Sequence, residues 1–135
     1  MATQINPMLK AGLLGNAIFS LICGLVLIVT AADLAEYLGG PDPNILKVIG
    51  IGLLPFAVHL LIALRRENPR IGEIYYLSAM DGLWVLASGV VLATGLVPFT
   101  AAGVWMVGLV ALVVADFMAM QLIGARRMKT SLAVG

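Results

Sequence analysis

The chain of 135 residues is 61% hydrophobic and 11% charged, with a net charge of +1 and a mean hydropathy of +1.07. A soluble domain carries about a quarter charged residues, and a chain this apolar folded in water would present patches that drive aggregation. Composition therefore excludes an ordinary soluble domain and gives no electrostatic case for nucleic acid or an acidic partner.

A helix needs about 20 apolar residues to cross the hydrocarbon core of a bilayer, and four segments approach that length. Asn6-Pro7 places a cap residue before a proline, a helix-start signal, and residues 11–32 follow without a charge. This run exceeds a signal-peptide core and is expected to remain as the first span, with Asp33, Glu36 and Tyr37 continuing it into the outer interface. The string Gly39-Gly40-Pro41-Asp42-Pro43-Asn44 reads as a turn. Residues 48–64 contain no Asp, Glu, Lys or Arg, and the span reaches full length from Ile45. Asn68-Pro69 marks another start, and residues 74–96 carry one acid, Asp81. Residues 95–100, with Pro98, form the last turn, Thr100 serving as cap. Residues 101–125 again carry one acid, Asp116. The expectation is a single domain over residues 1–135, with helices over about 9–37, 45–65, 70–96 and 100–126.

Basic residues are retained on the cytoplasmic side of a membrane. Lys10, Arg65, Arg66, Arg70, Arg126, Arg127 and Lys129 fall on one side of the four spans, and Lys47 alone falls on the other. The fold class expected is all-α: a polytopic four-helix bundle of a bacterial inner (plasma) membrane, with both termini cytoplasmic. Asn16 to Leu27 aligns with Asp81 to Leu92 at four identical positions of twelve. Phe19/Trp84 and Cys23/Ser88 match in character, and each hairpin opens on Asn-Pro and closes on Arg-Arg. Two parallel helical-hairpin repeats, or chance likeness between Leu/Val/Gly-rich helices, account for this.

Ionisable side chains within the hydrocarbon cost about 2.5–3.5 kcal/mol each on insertion scales, so they face the bundle interior and find partners. His59, Asp81 and Asp116 are such residues. At 1.5 Å per residue, Asp81 and Asp116 lie roughly 13 Å from the cytoplasmic helix ends, His59 roughly 8 Å and the amide Asn16 roughly 9 Å. One polar group per helix, all in the same half, predicts a cluster able to bind a proton or small ligand, or to pin the helices in register. Ser78, Asp81, Val85 and Ser88 share a stripe; Ser78, Ser88 and Trp84 are therefore further candidate contacts, although Trp84 also reads as a packing residue. Gly12, Asn16, Ser20 and Gly24 recur every fourth residue, a small-and-polar stripe suited to close helix approach. Gly52, Pro55 and His59 share a face of the second span, where the missing proline N–H predicts a kink.

Phosphate loops, metalloprotease helices and nucleophile elbows are absent from the sequence. A single histidine without cysteine ligands argues against zinc, so no metal or catalytic residue is assigned. Haem requires His59 plus Met118, Met120 or a partner chain, and the cofactor stays unassigned. The lone Cys23 reads as a small packing residue. In size and span number the chain is similar to the small multidrug resistance transporters. That family carries an embedded glutamate in the first helix, where this chain has Asn16. The expected function is a non-enzymatic accessory subunit or a small-ligand- or lipid-binding bundle; the alternative is an oligomeric proton-coupled transporter acting through Asp81 or Asp116. Expected partners are membrane lipids and a second copy or larger membrane complex, with no nucleic acid.

Overall fold

The computed structural model describes residues 5–134, and these fold into five helices without a strand: α1 Pro7–Val29, α2 Ala31–Leu38, α3 Pro43–Arg65, α4 Ile71–Thr94 and α5 Ala101–Val134. Local chemistry sets most of the ends. The Asn6 side chain accepts from the backbone N–H of Met8 at 2.9 Å, ahead of Pro7 at the first helical position. Asp42 does the same for Asn44 at 2.8 Å, ahead of Pro43. Each cap satisfies an N–H that the helix itself leaves without a partner. By contrast, α4 begins at Ile71 with Arg70 as its uncapped entry, two residues beyond the Pro69 start signal.

Two helices differ from the sequence expectation. The segment over 9–37 is broken at Thr30, whose hydroxyl donates to the Val26 carbonyl at 2.6 Å; the chain restarts as the short α2. That helix ends in a Schellman turn, Gly40 N–H bonding Ala35 O at 2.8 Å and Gly39 N–H bonding Glu36 O at 3.2 Å. Gly39 sits at φ +108°, and a side chain there would also collide with the Pro98 carbonyl and the Thr100 nitrogen. Conversely, α5 continues past residue 126 to Val134. Its 34 residues extend about 50 Å, well beyond the thickness of a hydrocarbon core.

In cross-section α1 lies between α3 and α5, α4 packs on α5, and α3 and α4 form the loosest of the neighbouring pairs. The helix backbones of α1 and α4 make no close approach, so these two are diagonal. Glycines set the tightest crossings. A Cβ on Gly50 would stand 2.7 Å from the Gly24 carbonyl, and one on Gly124 would stand 2.6 Å from Leu9 Cβ. Two apolar cores result. Leu9, Leu13, Leu60, Ala63, Ile74, Leu77, Ala125 and Met128 fill the end that bears most of the basic residues. Ala31, Ala35, Leu38 and Leu46 fill the other, with Phe99 and Met106 against them. Thr100 fastens α5 to α2 there: its N–H bonds Leu38 O at 2.9 Å and its hydroxyl donates to Tyr37 O at 2.9 Å. The same oxygen caps α5 by accepting from Gly103 N–H at 3.0 Å.

The outside of the bundle is apolar. Ile18, Ile22, Val29, Ile51, Val58, Leu83, Leu86 and Leu112 are among the exposed large side chains. Four helices (α1, α3, α4 and α5) are long and apolar enough to cross a membrane.

These crossings predict which glycines matter. Gly50→Ala and Gly124→Ala are each expected to destabilise the fold by about 1–3 kcal/mol through overpacking. Gly108→Ala, with open space around the new Cβ, is expected to be neutral or stabilising by up to about 1 kcal/mol. Unfolding of the detergent-solubilised protein measures all three, and equal effects would contradict the crossings.

Candidate functional site

The buried stripe of α1 carries Gly12, Asn16, Ser20 and Gly24, the four-residue repeat that the sequence displays. Its amide, Asn16, meets α4 and α5. Asn16 Nδ2 donates to Asp81 Oδ2 at 2.7 Å, and Gln121 Nε2 donates to the same oxygen at 2.7 Å. Asn16 Nδ2 also reaches Gln121 Oε1 at 3.5 Å, while Ser20 Oγ donates to Asn16 Oδ1 at 3.2 Å. All four residues are almost fully buried. One carboxyl and two amides thus tie three helices together within an apolar interior, where each unpaired polar group would be costly. Both hydrogen bonds to the carboxyl fall on Oδ2. One turn earlier on the same stripe, Ser78 Oγ is buried without a hydrogen-bond partner among the described residues, as is Trp84 Nε1. Ser88 is half-buried.

The single cluster expected from depth along the helices is thereby divided. Asn16 and Asp81 meet as expected, but His59 and Asp116 join neither each other nor this pair. His59 Nε2 lies 2.9 Å from Glu73 Oε1, and Arg66 bonds the same carboxylate through Nε at 2.7 Å and Nη2 at 3.3 Å. This charged group links the end of α3 to the start of α4. The His59 side chain keeps 40% of its surface exposed, and its stripe-mates Gly52 and Pro55 are exposed too. That face of α3 looks outward. Burial also differs across the Asp81 stripe, with Ser78 and Asp81 buried and Val85 and Ser88 only partly so.

Asp116 is exposed on the outer face of α5. The reason is angular. Gln121 stands five residues further along, about 140° round the helix at 100° per residue, so the two cannot point at the same neighbour. Val114, Gln121, Ala125 and Met128 form the buried face of α5, and that choice turns Asp116 out. Gln121 was not singled out as a site residue because the final span was represented by its acid, Asp116. The available signal was its being the lone amide in the final apolar run. Glu73 likewise lay just outside the run over 74–96.

No group of three or more His, Cys, Asp or Glu able to hold a metal ion occurs among the described residues. Met118 stands beside Gly82 on α4, its sulfur 3.2 Å from where a Cβ would be; His59 is bound up with Glu73 at the end of α3. Cys23 is half-buried and free.

Gln121→Leu removes one of the two amides that hold the carboxyl, and is expected to lower stability by about 1–3 kcal/mol. Ser88→Ala breaks no recorded hydrogen bond and is expected to stay within about 0.5 kcal/mol. Unfolding followed by tryptophan fluorescence gives both values, and a neutral Gln121→Leu would contradict the clasp.

Comparison with known proteins finds no matching family model, no matching curated protein and no matching solved structure.

Proposed function

We propose that the chain is a multi-pass integral membrane protein of a bacterial inner membrane, with both termini cytoplasmic, serving as a non-enzymatic component that binds a partner subunit or lipid. The membrane reading is supported by four long apolar helices and the apolar outer surface. Orientation is supported by seven of eight Lys and Arg lying at one end of the spans. The observation that carries the functional reading is the clasp, in which the Asn16 and Gln121 amides bond each other and both donate to Oδ2 of Asp81. Such a group holds helices in register, and the hollows along α5 border other residues.

The repeat reading draws support from the same clasp. Asn16 and Asp81 are equivalent in the internal alignment, and they meet across the diagonal of the bundle at 2.7 Å. Equivalent residues of two parallel hairpins meet in this way beside a pseudo-twofold axis along the membrane normal. The helix packing departs from that symmetry, since α1 lies against α5 whereas α3 and α4 stand apart.

Proton-coupled transport by an oligomer is the second reading. It is favoured by Asp81 Oδ1, on which no recorded hydrogen bond falls, and by the unpartnered Ser78 and Trp84 donors on the same helix. Intramembrane carboxyls of this sort commonly mark proton or ligand paths.

Native mass spectrometry in mild detergent tests the first reading. It is expected to find a stoichiometric lipid or second polypeptide, and a bare chain would overturn it. Asp81→Asn separates the two readings. As a component, the variant retains its partner with a shifted unfolding midpoint; as a transporter, it loses proton-coupled flux in proteoliposomes.

A further inference from the structure

Along α5 one row of residues faces away from the rest of the chain: Trp105, Leu109, Leu112, Asp116, Ala119 and Ile123 are all exposed. Their spacing is four, three, four, three, four. This is the spacing that the heptad seam of a left-handed helix pair uses, in which knobs of one helix enter holes of the other. The row extends about 27 Å along the helix, close to the thickness of a hydrocarbon core. Two shallow hollows lie beside it, one bordered by Tyr37, Trp105 and Leu109 and the other by Leu112, Val113, Asp116 and Phe117.

Asp116 specifies what covers this row. It lies about 22 Å along the axis from Ala101 and about 15 Å from Arg126, too far for its single methylene to bring the carboxyl to either end. None of the recorded side-chain hydrogen bonds or ion pairs among the described residues involves it. Acyl chains offer a carboxyl no hydrogen bond.

We propose that α5 is the interface with a second copy of this chain, paired in parallel along the row from Trp105 to Ile123, with the two Asp116 carboxyls hydrogen-bonded to each other. The proposal rests on the membrane reading above. Two copies inserted the same way are related by a twofold axis along the membrane normal, so each seam residue meets its own counterpart at equal height. A carboxylic acid is complementary to itself: one O–H donates to the oxygen of the other. The twofold therefore satisfies Asp116 without any further residue type. A polar side chain at one seam position also fixes register and the number of helices. Ala119 in the next seam position leaves room for the backbones to approach.

Disulfide cross-linking in native membranes tests this, with Cys23→Ala as background. Leu109→Cys, Leu112→Cys, Ala119→Cys and Ile123→Cys are expected to give homodimers under mild oxidation, and Leu83→Cys on the outer face of α4 is expected not to. Asp116→Leu in the full-length chain should weaken dimerisation in lipid about five- to thirtyfold, read by energy transfer between labelled copies, while Asp116→Asn, also self-complementary, restores it. Cross-links no stronger at the seam than at Leu83, capture of a different polypeptide there, or an Asp116→Leu dimer of unchanged strength would each overturn the proposal. Alkaline carbonate extraction of the same membranes keeps the two failures apart. A chain that washes off removes the membrane reading itself, whereas a chain retained without cross-links removes only the seam.

Discussion

The carboxyl of Asp81 holds together helices that have little other reason to stay at fixed separation. In apolar surroundings no hydrophobic drive distinguishes a neighbouring helix from the solvent, so association depends on close packing and hydrogen bonds. Asn16 from α1 and Gln121 from α5 both reach Oδ2 of Asp81 on α4. Since the backbones of α1 and α4 never come close, the Asn16–Asp81 bond spans the diagonal of the bundle. With the Gln121–Asp81 bond it fixes the rotation of three helices: turning any of them by one residue, about 100°, breaks a bond of the clasp.

Everything else in the packing is compatible with that rotation. Small residues take the positions where backbones cross, as at Gly24 against Gly50 and at Gly124 against Leu9. Phe117 packs against Phe19 with the rings tilted by 59° and centroids 5.8 Å apart, and it lies against Gly15, also on α1. With Gln121 turned inward, the opposite side of α5 is left bearing Asp116 and large apolar groups. The Asn16–Asp81–Gln121 clasp is made within one chain, and Asp116 lies outside it.

The bundle is also asymmetric between its ends and its halves. The end rich in Lys and Arg has the larger core and the Arg66–Glu73–His59 group, which draws α3 and α4 together where they connect. The other end depends on α2, a single short helix held by Thr100 through its backbone and its hydroxyl. The close packing of α1 against α5 has no counterpart of equal extent between α3 and α4.

The number of long helices, most of their ends and the buried stripe of α1 are properties of the sequence alone. Hydropathy over 20 residues and the chemistry of Asn6, Asp42 and Thr100 act locally, so no partner need be known to read them. Asn16 and Asp81 were legible as inward-facing groups for a related reason, since both lie on stripes with small or polar neighbours, but only within a larger cluster that also included His59 and Asp116. The break at Thr30 and the run of α5 to Val134 were less so: an uninterrupted apolar run does not record where a helix bends, and the Arg126–Arg127 pair does not stop one. Which side of α5 faces inward was decided only in the folded state. Counting residues gives the position of Asp116 along the axis, but rotation about the axis depends on which residues the neighbouring helices offer. Asn16 and Asp81 together receive the long amide of Gln121, and the aspartate that hydropathy made conspicuous is turned to the outside.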